Sequence, residues 1–159
     1  MPLERTFVML KPDAVQRGLC GEIISRIERK GFKIIAMKMM RFTPELCRTH
    51  YAHHADKPFF PRLMEFICSA PVLVMVVEGK DAVNQMRNMC GATDCGKAAP
   101  GTIRGDLGLS VQNNLIHASD SKETAAKEIT RFFKEAEIME YKRAIEEFVH
   151  SKDEMLTKS

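Results

Sequence analysis

No stretch of this 159-residue chain holds the run of about 18 apolar residues that a membrane-crossing helix requires. Its opening residues, MPLERTF, lack the apolar core of a secretory signal, so a soluble protein of the cytoplasm is expected. Both glycine motifs that cradle phosphates are missing. There is no Gly-x-Gly-x-x-Gly, and the nearest approach to GxxxxGK[ST], Gly91 to Lys97, is followed by Ala98 where the hydroxyl residue belongs. Any phosphoryl chemistry here is better routed through histidine. Cysteine occurs five times, at 20, 47, 68, 90 and 95, never as a CxxC pair. The odd count argues against a disulfide framework and fits a reducing compartment. The thiols read as ordinary small residues, with Cys90 and Cys95 expected to be exposed and open to oxidation. No internal repeat is detectable.

What remains is the composition of one ordinary domain, 45% apolar and 28% charged. Residues 1–150 are read as that domain and 151–159 as a polar tail that frays. The net charge of +3 is uneven: residues 1–62 carry twelve Lys or Arg against six Asp or Glu. Such an excess draws in a polyanionic small molecule. It also suits a nucleic-acid binder, but no base-reading module is present, so specific recognition is not expected. Most of those basic residues are more simply read as solvated helix faces.

Thr6–Lys11 reads as a buried first strand stopped by Pro12. Gly21–Lys30 carries isoleucines at helical spacing and exits at Gly31. Lys33–Met40 is a strand, and Thr43-Pro44 opens a helix expected to carry Tyr51 and His54 near its end. A short helical stretch runs to Ile67, LVMVV is the clearest strand, and Asp81–Met89 is helical. No periodicity holds from Cys90 to Asn114, a length that marks a shaped binding loop. Leu115-Ile116 then lead a short strand to His117. Asp120 is the expected N-cap of the next helix, with Glu123 as its capping-box partner, and a last helix is expected over Glu137–Val149. This order of split strand-helix-strand units predicts one sheet with helices on one face.

His117 is the candidate nucleophile, since a neutral imidazole attacks phosphorus when one nitrogen is held protonated and the other presents its lone pair. Glu128 is the candidate holder of that proton. On the residues alone, His117 also reads as a satisfied buried or capping histidine. Lys11, Arg87 and Arg104 stand at element ends where cations can meet moving phosphate oxygens, with Thr93 and Asn114 as neutral partners. Taken singly, each reads more readily as a surface or capping residue. Phe59, between prolines, offers a stacking platform with Val111 as an opposite wall, or is a core aromatic. His50, His53 and His54 share a helical face, but no cysteine or carboxylate completes a zinc pattern, and no metal ligand is assigned.

The blocks ERTFVMLKPDAVQRGLCGEII, HYAHHADKPFFPRLMEF, PGTIRGDLG and NNLIHASDS resemble the nucleoside diphosphate kinase family over nearly all of residues 4–150. The last matches the signature Asn-x-x-His-Gly/Ala-Ser-Asp. The resemblance implies an α/β ferredoxin-like sandwich, a four-stranded antiparallel sheet with covering helices. It implies ping-pong transfer of a terminal phosphate between nucleoside triphosphates and diphosphates, with His117 phosphorylated, Glu128 orienting it and Ser119 supporting. Family contacts to phosphate and sugar fall on Lys11, Tyr51, Arg87, Thr93, Arg104 and Asn114. Phe59, Val111 and Leu63 would form the loose sandwich around the base. Mg2+ would be bound mainly through nucleotide phosphates, and a homohexamer is favoured. Three departures stand out: Ala14 where Gly is common, Cys95 where many members have Pro, and a longer tail.

Overall fold

The computed structural model describes residues 3–156. Its order is β1 (Leu3–Leu10), α1 (Pro12–Gln16), α2 (Cys20–Lys30), β2 (Lys33–Met40), α3 (Pro44–His50), α4 (Phe60–Cys68), β3 (Val72–Lys80) and α5 (Ala82–Cys90). There follow α6 (Ile103–Leu107), β4 (Ile116–Ala118), α7 (Lys122–Phe132), α8 (Glu146–Val149) and α9 (Lys152–Leu156). All neighbouring strands are antiparallel, in the order β2-β3-β1-β4. This is the expected ferredoxin-like arrangement. No described helix is long and apolar enough to cross a membrane.

Phe7–Leu10 of β1 and Val72–Val77 of β3 are buried without alternation, which requires cover on both faces of the sheet. Val8, Leu10, Met75 and Val77 pack against Ile23 and Ile27 of α2 and Met86 of α5. On the opposite face, Phe7, Met9, Val74 and Val76 meet Cys47 of α3, Ile67 of α4 and Phe132 of α7. The expectation of helices on one face is therefore corrected: the segment 41–71 and α7 supply a second layer. Side-chain parity along β1 separates the two cores.

Local signals hold at several ends. Gly31 leaves α2 at φ 113°, and the Thr43 hydroxyl accepts the Leu46 N–H at 3.1 Å to open α3. Other boundaries differ. Tyr51 is the C-cap of α3 rather than within it, and His54 lies in a separate 3-10 turn, Ala52–His54. The cap of α7 is Ser121, whose hydroxyl accepts the Thr124 N–H at 3.0 Å, not Asp120. Glu123 pairs instead with Lys127 at 3.0 Å. The aperiodic stretch contains α6, capped by Thr102. Ala14 is buried within α1, a helical position where a methyl side chain fits without strain.

The helix expected over Glu137–Val149 is reduced to a 3-10 turn, Glu135–Glu137, and the short α8. Tertiary bonds replace helical ones along the segment between. Met139 N–H donates to the Ile35 carbonyl at 2.8 Å, Tyr141 O–H to that of Ile34 at 2.6 Å, and Arg143 to those of Gly31 and Phe32. Within the tail, Lys152–Leu156 form the short helix α9. Glu154 accepts the Ser151 N–H at 2.9 Å and pairs with Lys80. Residues 157–159 of that tail lie outside the described residues.

Candidate active site

β4 pairs with β1 so that His117 stands opposite Met9, and side-chain parity therefore aims it at the α3/α7 face. Immediately upstream, Leu115 holds φ 73°, a conformation costing about 1–3 kcal/mol for a non-glycine residue. Two bonds to the start of the chain hold it there. Leu115 N–H donates to Asp13 Oδ2 at 3.0 Å, and its carbonyl accepts the Lys11 N–H at 2.8 Å. Burial pushes the Asp13 carboxyl above its ordinary range, against the backbone donors it accepts.

His117 Nε2 meets Glu128 Oε2 at 2.8 Å and Oε1 at 3.1 Å. The buried Ser119 hydroxyl donates to Oε1 at 2.6 Å. Burial raises the Glu128 carboxyl, but the bond from His117, followed by Ser119 and nearby His50, outweighs this and holds it below its ordinary range. An ionised carboxylate only accepts, so the ring proton of neutral His117 sits on Nε2 and Nδ1 keeps its lone pair.

The ring lines a cleft of about 610 Å³ that also gathers Lys11, Tyr51, Arg87, Thr93, Arg104, Asn114 and Glu128. Buried Asn114 organises one wall. Its Oδ1 accepts Lys11 Nζ at 2.7 Å and its Nδ2 donates to the Thr93 carbonyl at 3.1 Å. Burial, then the neighbouring Arg104 charge, brings the Lys11 ammonium down to about 8. Arg104 donates to the carbonyls of Asn114, Gly91 and Ile116 at 3.1, 2.9 and 2.5 Å, so it struts the loop as well as charging the cleft. Arg87 is exposed, and its side chain donates to the Ala118 carbonyl at 3.3 Å. The Tyr51 hydroxyl is buried without a hydrogen-bond partner among the described residues, and burial pushes its phenol up.

Of the expected site residues, Ser119, Phe59, Leu63 and Val111 do not line this cleft. Ser119 acts behind it, on Glu128. Phe59 is half exposed at the start of α4, edge-on to cleft-lining His54 with ring centroids 5.2 Å apart. Leu63 packs one turn along α4, and Val111 is exposed on the long loop. Cys90 and Cys95, expected at the surface of that loop, are both buried. Cys95 lies so close to Gly108 that a Cβ there would come within 2.4 Å of its sulfur.

Sequence reasoning missed Lys127 and Arg131 of α7 and gave His50 no role at the site. A signal existed for the first two: their spacing of four places them on one helical turn beside Glu128. The three histidines do not share a face. His50 turns inward, while His53 and His54 lie against each other with centroids 3.9 Å apart.

A family model described as nucleoside diphosphate kinase matches residues 4–138. A nucleoside diphosphate kinase of Archaeoglobus fulgidus is 54% identical over 148 residues, covering 93% of this chain and 98% of that protein. One from Staphylococcus aureus is 58% identical over 139 residues, covering 87% and 93%. The structure of a halophilic nucleoside diphosphate kinase from Halobacterium salinarum in complex with CDP superimposes with a TM-score of 0.90 at 51% identity, covering 92% of this chain and 98% of that one. With that likeness running through the cleft-forming segments, the chain belongs to the nucleoside diphosphate kinase family.

Proposed function

We propose that His117 carries the phosphoryl group that this kinase moves from a nucleoside triphosphate to a nucleoside diphosphate. The observation that carries the assignment is the bond from His117 Nε2 to Glu128, which leaves Nδ1 as the free nucleophile on a ring lining a cationic cleft. In the first half-reaction the Nδ1 lone pair forms a bond to the γ-phosphorus as the bond from phosphorus to the bridging oxygen breaks. The diphosphate departs with that electron pair. In the second, a terminal oxygen of another diphosphate attacks the same phosphorus and the N–P bond breaks, restoring the ring. Glu128 stabilises the positive charge that develops on the imidazole.

Phosphoryl transfer demands positioning and charge more than covalent chemistry from the protein. Arg87, Thr93 and Arg104 are assigned to the phosphates, Lys11 and Asn114 to the ribose hydroxyl and adjacent oxygens, and the unpaired Tyr51 hydroxyl is a donor at the same wall. Phe59, with Leu63 beside it and Val111 opposite, supplies a stacking surface worth about 1–3 kcal/mol without reading the base. Broad nucleotide acceptance follows.

The carboxylates lining the cleft are Asp120 and Glu128, and Glu128 is committed to His117 and Ser119. Mg2+ prefers several oxygen ligands and keeps water, so this donor set, with Asp120 the other carboxylate of the lining, fits an ion held chiefly by nucleotide phosphates. When bound, the ion neutralises phosphate charge. A hexamer is the assembly that family membership favours, and Met37 and Met39, 50% and 59% exposed on edge strand β2, offer an apolar surface for self-association. Free thiols at all five cysteines suit the cytoplasm.

Incubation with γ-labelled ATP should yield an acid-labile, alkali-stable phosphoprotein that loses its label to unlabelled diphosphate. A folded preparation that acquires no histidine-bound label sinks the assignment. Lys11 adds a pH signature. Its charge, present below about 8, is lost as pH rises through that value, so kcat/KM should fall on the alkaline side with a midpoint near 8. In Lys11→Arg that limb should vanish, because guanidinium stays charged. A limb unchanged in the variant would assign it to another group.

A further inference from the structure

The mechanism above leaves one buried ionisable group at the site without a role. His50, the last residue of α3, has a side chain only 1% exposed. Its Nδ1 lies 3.0 Å from Arg131 Nη1, and its Nε2 lies 3.5 Å from Glu128 Oε2. Arginine does not give up its proton, so Nδ1 must accept. The single proton of a neutral ring is then forced onto Nε2, the nitrogen facing Glu128. The ring is neutral at working pH: burial first, then the neighbouring His117, brings its pKa down to about 3.

The same contact weighs against a metal reading of this cluster. His50, His117 and Glu128 offer ligand atoms within 4.8 Å of one another. An ion on His50 Nε2 would move the ring proton to Nδ1, where it would oppose the Arg131 N–H. The cluster is a chain of oriented donors instead, running from Arg131 through His50 to Glu128 and from there to His117.

We propose that Arg131 and His50 are positioning residues for phosphoryl transfer: Arg131 sets the tautomer of His50, whose Nε2–H then faces Glu128 and helps keep His117 in its nucleophilic tautomer. This rests on His117 being the phosphorylated residue. Glu128 is thereby faced by three protons, from His117, Ser119 and His50, and has less tendency to draw a second proton onto His117. The charged and titratable groups around His50 are His117 from β4, Glu128 and Arg131 from α7, and Tyr51 and His53 after α3. Its other neighbours, Phe7, Phe42 and Phe132, carry no charge. Without the Arg131 donor, His50 is free to turn a lone pair toward the carboxylate. Glu128 then favours the imidazolium form of His117, and the acid limb of phosphorylation moves to higher pH.

Nitrogen-15 NMR of the full chain, with the His50 signals identified by their loss in His50→Gln, reads the tautomer without turnover. The wild type should show His50 protonated at Nε2, and Arg131→Met should show a mixture. Single-turnover phosphorylation by ATP should fall roughly three- to tenfold in Arg131→Met, the scale of one net hydrogen bond, with its acid limb displaced upward. Arg131→Lys, which still offers an N–H donor, should keep the tautomer and recover most of the rate. Arg131 is exposed, so these variants should fold. A wild-type proton on Nδ1, or a tautomer and acid limb indifferent to Arg131→Met, overturns the proposal. Absence of phosphohistidine in the wild type would instead overturn the reading of His117 beneath it.

Discussion

His117→Ala should lower turnover between ATP and any diphosphate acceptor on the order of 10⁴-fold or more, since the group proposed to form the covalent intermediate is gone. No neighbour substitutes for it. His50 is buried with its Nδ1 lone pair committed to Arg131. Lys11 is committed to Asn114 at 2.7 Å and serves as a charge. The variant should still fold, because the His117 side chain is 25% exposed and Glu128 keeps the Ser119 hydroxyl as a donor. Parallel thermal denaturation and a coupled assay separate the two effects. Near-normal turnover in a folded His117→Ala protein would move the chemistry to another residue.

Glu128→Gln should be nearly as damaging, although it preserves shape. The carboxylate accepts from both His117 Nε2 and Ser119 Oγ, at 2.8 and 2.6 Å on different oxygens. A carboxamide offers one acceptor oxygen and one donor NH2. If Ser119 keeps the oxygen, the NH2 faces His117, whose Nε2 must then become the acceptor and pass its proton to Nδ1. The nucleophilic lone pair is thereby removed. Loss of the correct tautomer behind a catalytic imidazole costs about 10⁴-fold in the analogous serine-protease arrangement, and about 10²–10⁴-fold is expected here in single-turnover phosphorylation. KM should change far less than the rate constant, because Glu128 sits behind the ring. A variant with wild-type phosphorylation and raised KM would make Glu128 a substrate contact instead.

The sheet and most of its helices were legible in the sequence because their signals are local. LVMVV, Gly31 and Thr43-Pro44 each fix an element from neighbouring residues, and the structure has β3, the end of α2 and the start of α3 where they indicate. The site's principal members came from the resemblance carried by NNLIHASDS and its companion blocks; the residues alone favoured a buried or capping histidine at His117 over a nucleophile. What escaped was long-range. The bond from Arg131 to His50 spans 81 positions and leaves no periodic trace. Residues 138–145 gave up helical bonding for contacts with the edge of the sheet across about a hundred positions. The shift of the α7 cap from Asp120 to Ser121 is of a different kind, since two adjacent residues are both good caps and only the local φ and ψ decide between them.

The pairing of His117 with Met9 carries a constraint on how this chain can vary. β4 is three residues long, and a slip of one position would present Ile116 or Ala118 to nucleotide while sending the imidazole into the opposite core. So short a strand cannot hold its own phase by pairing alone. Asp13 on Leu115 and Arg104 on the Ile116 carbonyl pin it from two sides. An insertion or deletion within 114–118 would therefore silence the enzyme even in a protein that still folds.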